Sequence, residues 1–171
     1  ECIQTGKPEG LKVFGNWKTV YEGLSQLPDQ IKKSWFEFDH YYSDDAFPYA
    51  LDIVFERKPK YLFDIGGNTG KWSFACCKHD ADVKIKILDL PGQLNVAKNN
   101  ATEIGLLDRI EFHQIDLLDK SQAVPSGADA VWMSQFLDCF SSDEIVQILS
   151  NVRNAASSET DIYIMEPFFD N

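Results

Sequence analysis

The sequence has no apolar run approaching the ~20 residues that a membrane-spanning helix needs. It is also short of basic residues: 16 lysines and arginines stand against 27 acids, for a net charge of −11. That deficit argues against a nucleic-acid backbone or an anionic membrane surface as partner. Cysteine is sparse, with four in 171 residues. Cys2, the adjacent Cys76 and Cys77, and Cys139 have neither zinc-ligand nor disulfide-framework spacing, so no metal is expected and a reduced, cytoplasmic setting is. A basic-then-apolar leader is missing as well. Glu1 stands where an initiator methionine would, which sets the expectation of a piece of a longer chain. What is left is 44% hydrophobic and long enough for one domain with a core of its own.

Aromatic residues are plentiful, above all in the first third. From Leu11 to Arg57 the pattern is helical and carries Trp17, Tyr21, Trp35, Phe36, Phe38, Tyr41, Tyr42, Phe47, Tyr49 and Phe55. Core packing is the default reading of such residues, and an aromatic pocket is the other. Pro28 and Pro48 each suit the first turn of a new helix. The segment "RKPK" around Pro59 ends this pattern, and the period changes. Residues 1–58 are therefore read as a helical substrate-side or linker segment, and 59–171 as a second unit.

In that second unit strand-like runs alternate with helix-like ones. Strands are expected at Tyr61–Ile65, Val83–Leu88, Arg109–Ile115, Ala128–Met133 and Asp161–Met165. Helices are expected at Gly70–His79, Pro91–Ile104 and Ser142–Ala156, and the stretch from Asp116 to Gly127 reads as a loop. Such alternation predicts an α/β, Rossmann-like, doubly wound parallel sheet, preceded by the aromatic-rich helices. Ligands of these sheets sit outside the carboxyl ends of the strands. The residues to inspect are thus Asp64–Gly70, Asp89, Asp116, Ser134–Asp138 and Glu166.

The stretch "DIGGNTG", Asp64–Gly70, ends a strand and opens a helix. Its glycines, Gly66, Gly67 and Gly70, let a ligand approach the backbone, and the helix start offers free N–H groups. A dinucleotide fingerprint reads G-x-G-x-x-G and receives a pyrophosphate. Here an acid precedes the first glycine, which serves a ligand bearing an ammonium or sulfonium charge better than an anion. A tight turn with no ligand is the alternative. Asp89 ends the second strand, where a carboxylate accepts from ribose hydroxyls or caps the helix that Leu90 and Pro91 begin. Asp116 ends the third strand, either taking the amine of adenine with Leu117 against the ring or closing a turn.

The order "DIGGNTG", "LDLP", "QIDLLD", "FLDCFSSDEIVQIL" and "IYIMEP" resembles the class I S-adenosylmethionine-dependent methyltransferases. More narrowly, it is similar to the small-molecule O-methyltransferases that include caffeic acid, flavonoid, hydroxyindole and antibiotic-tailoring enzymes. The resemblance covers most of the chain. It implies S-adenosylmethionine as cofactor, with its methionine end near Asp64, Gly66, Gly67, Asn68 and Gly70. The ribose would lie on Asp89 and Leu90, and the adenine near Asp116 and Leu117, with Ser134 completing the set. It also implies methyl transfer to a hydroxyl of a small, largely aromatic acceptor, a homodimer in the full-length parent, and a fold that continues past the fifth strand. On that comparison the sheet here is truncated after strand five, leaving an exposed edge.

Two positions depart from the family pattern. Asn68 replaces a glycine, and Asn tolerates left-handed backbone better than most residues. The family's general base is a His in an "LHDW"-like segment, and "FLDCF" sets Asp138 there. His113 falls within a strand and His79 at a helix end; His40, among the aromatic helices, is the histidine placed to face a substrate. Asp138 is either a carboxylate base, weak for a phenolic proton, or a loop residue before a helix capped by Ser141 and Glu144. Glu166 matches a Glu that in the family supports the catalytic His. A cofactor-binding module without methyl transfer, and an NAD-dependent oxidoreductase, are the competing readings.

Overall fold

The computed structural model describes residue 4, residues 9–17 and residues 23–167. Five strands form one sheet: β1 (Tyr61–Ile65), β2 (Lys84–Asp89), β3 (Ile110–Gln114), β4 (Ala130–Ser134) and β5 (Asp161–Met165). Their order is β3-β2-β1-β4-β5, and each neighbouring pair is parallel. Helices α1 (Asp29–Ser43) and α2 (Phe47–Phe55) precede the sheet. Helices α3 (Lys71–His79) and α4 (Pro91–Glu103) carry the chain from β1 to β2 and on to β3, and α5 (Ser142–Ala155) connects β4 to β5.

Parallel strands need crossovers, and crossovers bury both faces of the sheet. One face sets Leu62, Ile85, Ile87, Ile110 and Trp132 against α2, α3 and α4 through Val54, Phe74, Cys76, Leu94 and Ala97. The other sets Phe63, Ile65, Leu88, Val131 and Met133 against Ile148 and Val152 of α5 and against Leu24 and Leu27. The chain winds outward from β1 through β2 to β3, then returns to pair β4 with the other side of β1. The switch point therefore lies between the carboxyl ends of β1 and β4, where open α/β sheets bind ligands.

The strands and helices stand where the sequence periodicity puts them, with ends moved by a residue or two. Pro28 immediately precedes α1, and Pro48 lies in the first turn of α2. The run 116–127 is a loop tightened by turns at Asp116 and Asp119. Ser141 and Glu144 form the reciprocal capping box of α5. Ile162 and Ile164 of β5, apolar but 42% and 44% exposed, leave that end of the sheet uncovered among the described residues. Among those residues no helix is long and apolar enough to cross a membrane, and no group of His, Cys, Asp or Glu could hold a metal ion. Tyr21 and Cys2 lie outside the described residues, and the side chains of His40 and Tyr42 are not described.

Candidate functional site

The loop between β1 and α3 is built from three left-handed residues: Gly66 (φ 69°), Asn68 (φ 48°) and Gly70 (φ 84°). Glycine occupies two of them at little cost, and Asn is among the few side chains that accept the third. Gly66 N–H continues the ladder to Leu88 C=O at 2.9 Å, and Gly70 N–H closes the turn on Gly67 C=O at 2.7 Å. Gly70 is the N-cap of α3. Gly67 is needed for a different reason: a Cβ there would stand 2.8 Å from Asp64 Oδ2 and 2.9 Å from Ile87 Cγ2. From outside, Asn100 of α4 donates to Thr69 C=O at 3.0 Å and ties the loop down.

Strand parity decides where the two acids go. Asp64 and Asp89 share the sheet face of Leu62, Ile85 and Ile87, the face that α3 covers. Each is only 2% exposed. Asp64 lies beneath the loop and accepts from Ser73 Oγ at 2.6 Å. Burial pushes its carboxyl up to about 7; the Ser73 hydroxyl opposes this, and the nearby Asp89 charge adds to it. Asp89 accepts the Asn68 N–H at 2.9 Å on one oxygen and the Leu90 N–H at 2.6 Å on the other. Consecutive loop residues, 67 and 68, thus rest one on each carboxylate. Asn68 Oδ1 is buried without a hydrogen-bond partner.

The remaining residues named from the sequence spread along the same end of the sheet. Leu90 is the N-cap of α4. Asp116 is exposed and uses one carboxylate oxygen to accept the Leu118 N–H at 2.9 Å. Leu117 is 6% exposed, packed in the core on the α5 face. Ser134 ends β4 beside Met165 of β5. Asp138 is exposed on a single 3-10 turn, Leu137–Cys139, with the Cys139 thiol 3.6 Å from its Oδ1. Glu166, just past β5, accepts the N–H groups of Phe136 (3.0 Å) and Leu137 (2.9 Å) on one oxygen. Its other oxygen is buried without a partner, and burial raises its pKa while the two N–H groups lower it. Glu166 therefore holds the backbone of the turn that carries Asp138.

Sequence reasoning missed Ser73 and gave no role to Gln135 and Phe136, which lie within the stretch Ser134–Asp138 that it marked. Ser73 was visible as the polar residue of the apolar stretch "KWSFACC", one helical turn past the glycines. Gln135 adopts φ 46°, a left-handed conformation for which no sequence signal exists. Phe136 is 3% exposed, and its ring fills the space a Cβ on Gly66 would need, 2.3 Å away. The left-handed backbone at Gln135 and the Glu166 clamp bring that ring to the loop. Glu166→Ala, which strands two N–H groups beside the core, is expected to cost about 2 kcal/mol. Glu166→Gln keeps the accepting oxygen and should cost clearly less in the same denaturation series.

The aromatic residues of the first third divide. Phe47 and Phe55 pack against the sheet-side core, with Phe47 edge-on to Trp72 at 5.1 Å and Trp72 stacked on Trp132 at 4.0 Å. Phe38, Tyr41 and Tyr49 are 63–74% exposed. Phe36 and Tyr41 line a groove of about 770 Å³ along α1, which reaches the start of α3 at Lys71. There Lys71 pairs with Asp44 at 2.5 Å.

Comparison with known proteins bears on this arrangement. Residues 50–171 match the model of the O-methyltransferase domain. The bacteriochlorophyllide d C-20 methyltransferase of Chlorobaculum tepidum is 27% identical over 132 residues, covering 75% of this chain and 38% of its own length. The phenazine-1-carboxylate N-methyltransferase of Pseudomonas aeruginosa is 24% identical over 166 residues, covering 97% of this chain and 47% of its own. Among solved structures, the O-methyltransferase NcsB1 from neocarzinostatin biosynthesis superposes with a TM-score of 0.75 at 22% identity. That match covers 95% of this chain and 48% of NcsB1, whose structure holds S-adenosylmethionine and 2-hydroxy-5-methyl naphthoic acid. The chain spans less than half the length of each of these proteins.

Proposed function

Because this chain belongs to the O-methyltransferase domain family, we propose that it binds S-adenosylmethionine over the Gly66–Gly70 loop and transfers methyl to a hydroxyl of a small aromatic acceptor. The observation that carries the reading is the acceptor set: two buried carboxylates lie under a loop whose glycines let a ligand lie on the backbone. A pyrophosphate laid there would meet both acids, whereas a cation is served by both, which disfavours the NAD reading. Asn68 Oδ1, buried and unpartnered, is an acceptor that an ammonium N–H would satisfy.

When bound, S-adenosylmethionine supplies a methyl group already activated by its sulfonium sulfur. In this reading Asp89 accepts from the ribose hydroxyls alongside the Asn68 and Leu90 N–H groups, and Asp116 lies toward the adenine with Leu117 behind it. Ser134 ends β4, which pairs with β1, and Gln135 follows it. On the acceptor side, Glu166 fixes the turn that presents Asp138, and in-line placement of the acceptor oxygen supplies much of the rate. The relatives' acceptors, a bacteriochlorophyllide and phenazine-1-carboxylate, and the naphthoic acid in NcsB1 support a small aromatic partner. Residues 1–58 then serve the substrate side and 59–171 the cofactor. The family resemblance supports a homodimer of the parent protein, and the cysteine spacing a cytoplasmic setting.

Calorimetric titration with S-adenosylhomocysteine, with NADH as control, tests the cofactor. Binding of the first alone, weakened at least roughly tenfold in Asp89→Ala, is the expected result. NADH binding in its place would overturn the reading. A second reading, cofactor binding without methyl transfer, draws on Asp138 standing exposed where the family has His. Retained cofactor affinity with no methylated product from any phenolic acceptor would favour it.

A further inference from the structure

We propose that the groove along α1 seats a methyl acceptor that carries a protonated amine beside its aromatic ring. The inference rests on the methyl-transfer reading above and names the class of acceptor within it. Asp29, Lys33, Glu37, Tyr41 and Asp45 recur at intervals of four, so one stripe of α1 and the turn after it sets them side by side along the groove. Phe36 lines it as well, and Tyr41 is 74% exposed, so a ligand can cover its ring. The volume of about 770 Å³ suits a small aromatic molecule, since pockets for such ligands run from ~300 to ~1,000 Å³. The groove reaches Lys71, the residue after Gly70. A ligand in it therefore lies next to the loop proposed for the cofactor.

Charge decides what kind of molecule fits. Each of the three lysines in the lining already faces an acid: Lys32 pairs with Asp29 at 3.4 Å, Lys33 with Glu37 at 3.7 Å and Lys71 with Asp44 at 2.5 Å. The lining holds four acids, and the fourth, Asp45, is in no ion pair among the described residues. A carboxylate entering the groove has to take a lysine from its partner and leave that acid unmatched. An ammonium meets Asp45 without breaking any pair. It also finds the rings of Phe36 and Tyr41, whose faces attract a cation and repel an anion. Each of these contacts is weak, because the groups are reached by water. Together they separate a cation from an anion by roughly tenfold, and the net charge of −11 acts in the same direction. A protonated nitrogen has no lone pair, so it anchors the acceptor without taking the methyl itself. The hydroxyl oxygen forms the new bond to carbon as the S–C bond breaks, and the hydroxyl proton passes to water.

Three phenols of near-equal outline isolate the charge: tyramine, para-ethylphenol and phloretate, whose tails are cationic, neutral and anionic. Their dissociation constants are measured by ligand-observed NMR on the chain, with and without saturating S-adenosylhomocysteine. Tyramine is expected to bind about threefold tighter than para-ethylphenol and roughly tenfold tighter than phloretate. Raising sodium chloride from about 0.05 to about 0.5 M should shrink that preference, as screening requires and shape does not. Asp45→Asn should remove most of the tyramine advantage and leave para-ethylphenol unchanged. Phloretate binding as tightly as tyramine, or a tyramine advantage that survives Asp45→Asn, would overturn the inference. So would binding of S-adenosylhomocysteine with none of the three phenols, an outcome that leaves the cofactor reading intact. Phenol binding to a chain that takes no S-adenosylhomocysteine would overturn the cofactor reading, and with it the assignment of this ligand as a methyl acceptor.

Discussion

Gly67→Ala is expected to weaken cofactor binding roughly a hundredfold, although it adds one methyl group at a position whose backbone needs no positive φ. The added Cβ would stand 2.8 Å from Asp64 Oδ2, 2.9 Å from Asp64 Cγ and 2.9 Å from Ile87 Cγ2. None of these has room to retreat. Asp64 is pinned by Ser73 at 2.6 Å, and Ile87 is fully buried in the central sheet. The loop has to rise, and Asn68 N–H then leaves Asp89. Overpacking of this kind costs about 1–3 kcal/mol in stability. The loss of loop geometry should weaken S-adenosylhomocysteine by roughly a hundredfold, about 2.7 kcal/mol. Gly105→Ala is the control. Gly105, unlike Gly67, sits at positive φ, 71°, and nothing lies within 4 Å of its Cβ position. That variant should lose only about 1 kcal/mol of backbone preference and bind the ligand as the parent does. Equal affinity in Gly67→Ala and the parent would mean that the ligand does not lie on this loop.

Much of this site was legible in the sequence because the features that signal it are steric and local. Glycines after a strand, an acid at a strand tip and proline at a helix start each constrain the backbone within a few residues, and each stands where it was read. The five-strand parallel sheet followed from alternation alone. What the sequence did not disclose depends on which face a side chain takes and on contacts across long separations. Asp64 reads from sequence as the residue that meets the ligand; in the fold it lies under the loop, because it alternates with Leu62 onto the face covered by α3. Asp116 and Leu117 read as an adenine wall or a turn; Asp116 accepts the Leu118 N–H of its own turn, and Leu117 packs inward, a facing that sequence alone does not give. The clamp from Glu166 to Phe136 and Leu137 joins residues about thirty apart in sequence, and the left-handed Gln135 that makes it possible has no residue-type signature. The exposed edge expected at strand five is matched by Ile162 and Ile164, which are 42% and 44% exposed.

The second large effect concerns stability. A stability curve against pH for Asp64→Asn should diverge from that of the parent as pH rises from about 4 to 7, then run parallel. The ordinary carboxyl value for Asp64 is 3.8, and in the fold it is about 7. Between those values the unfolded chain has released the proton and the folded chain has kept it. The folded state binds more protons, so stability falls as pH rises. The contribution is complete below the unfolded value and is lost as pH climbs through the folded one. The slope is about 1.4 kcal/mol per pH unit, and the whole span comes to roughly 4 kcal/mol. The carboxylates of Asp80, Glu111 and Asp119 are held below their ordinary values by hydrogen bonds and titrate in the opposite sense. They are shared by both proteins and cancel in the difference. Urea midpoints at pH 4, 5, 6, 7 and 8 measure it. Parallel curves throughout would show that the folded chain holds Asp64 ionised across this range, and that the desolvation of the acid is offset by a partner other than Ser73. Divergence in the stated window would show that the fold carries a standing cost at neutral pH beneath its own glycine loop. A bound cation would relieve that cost without unfolding the strand, and a site is the place where a protein tolerates such strain.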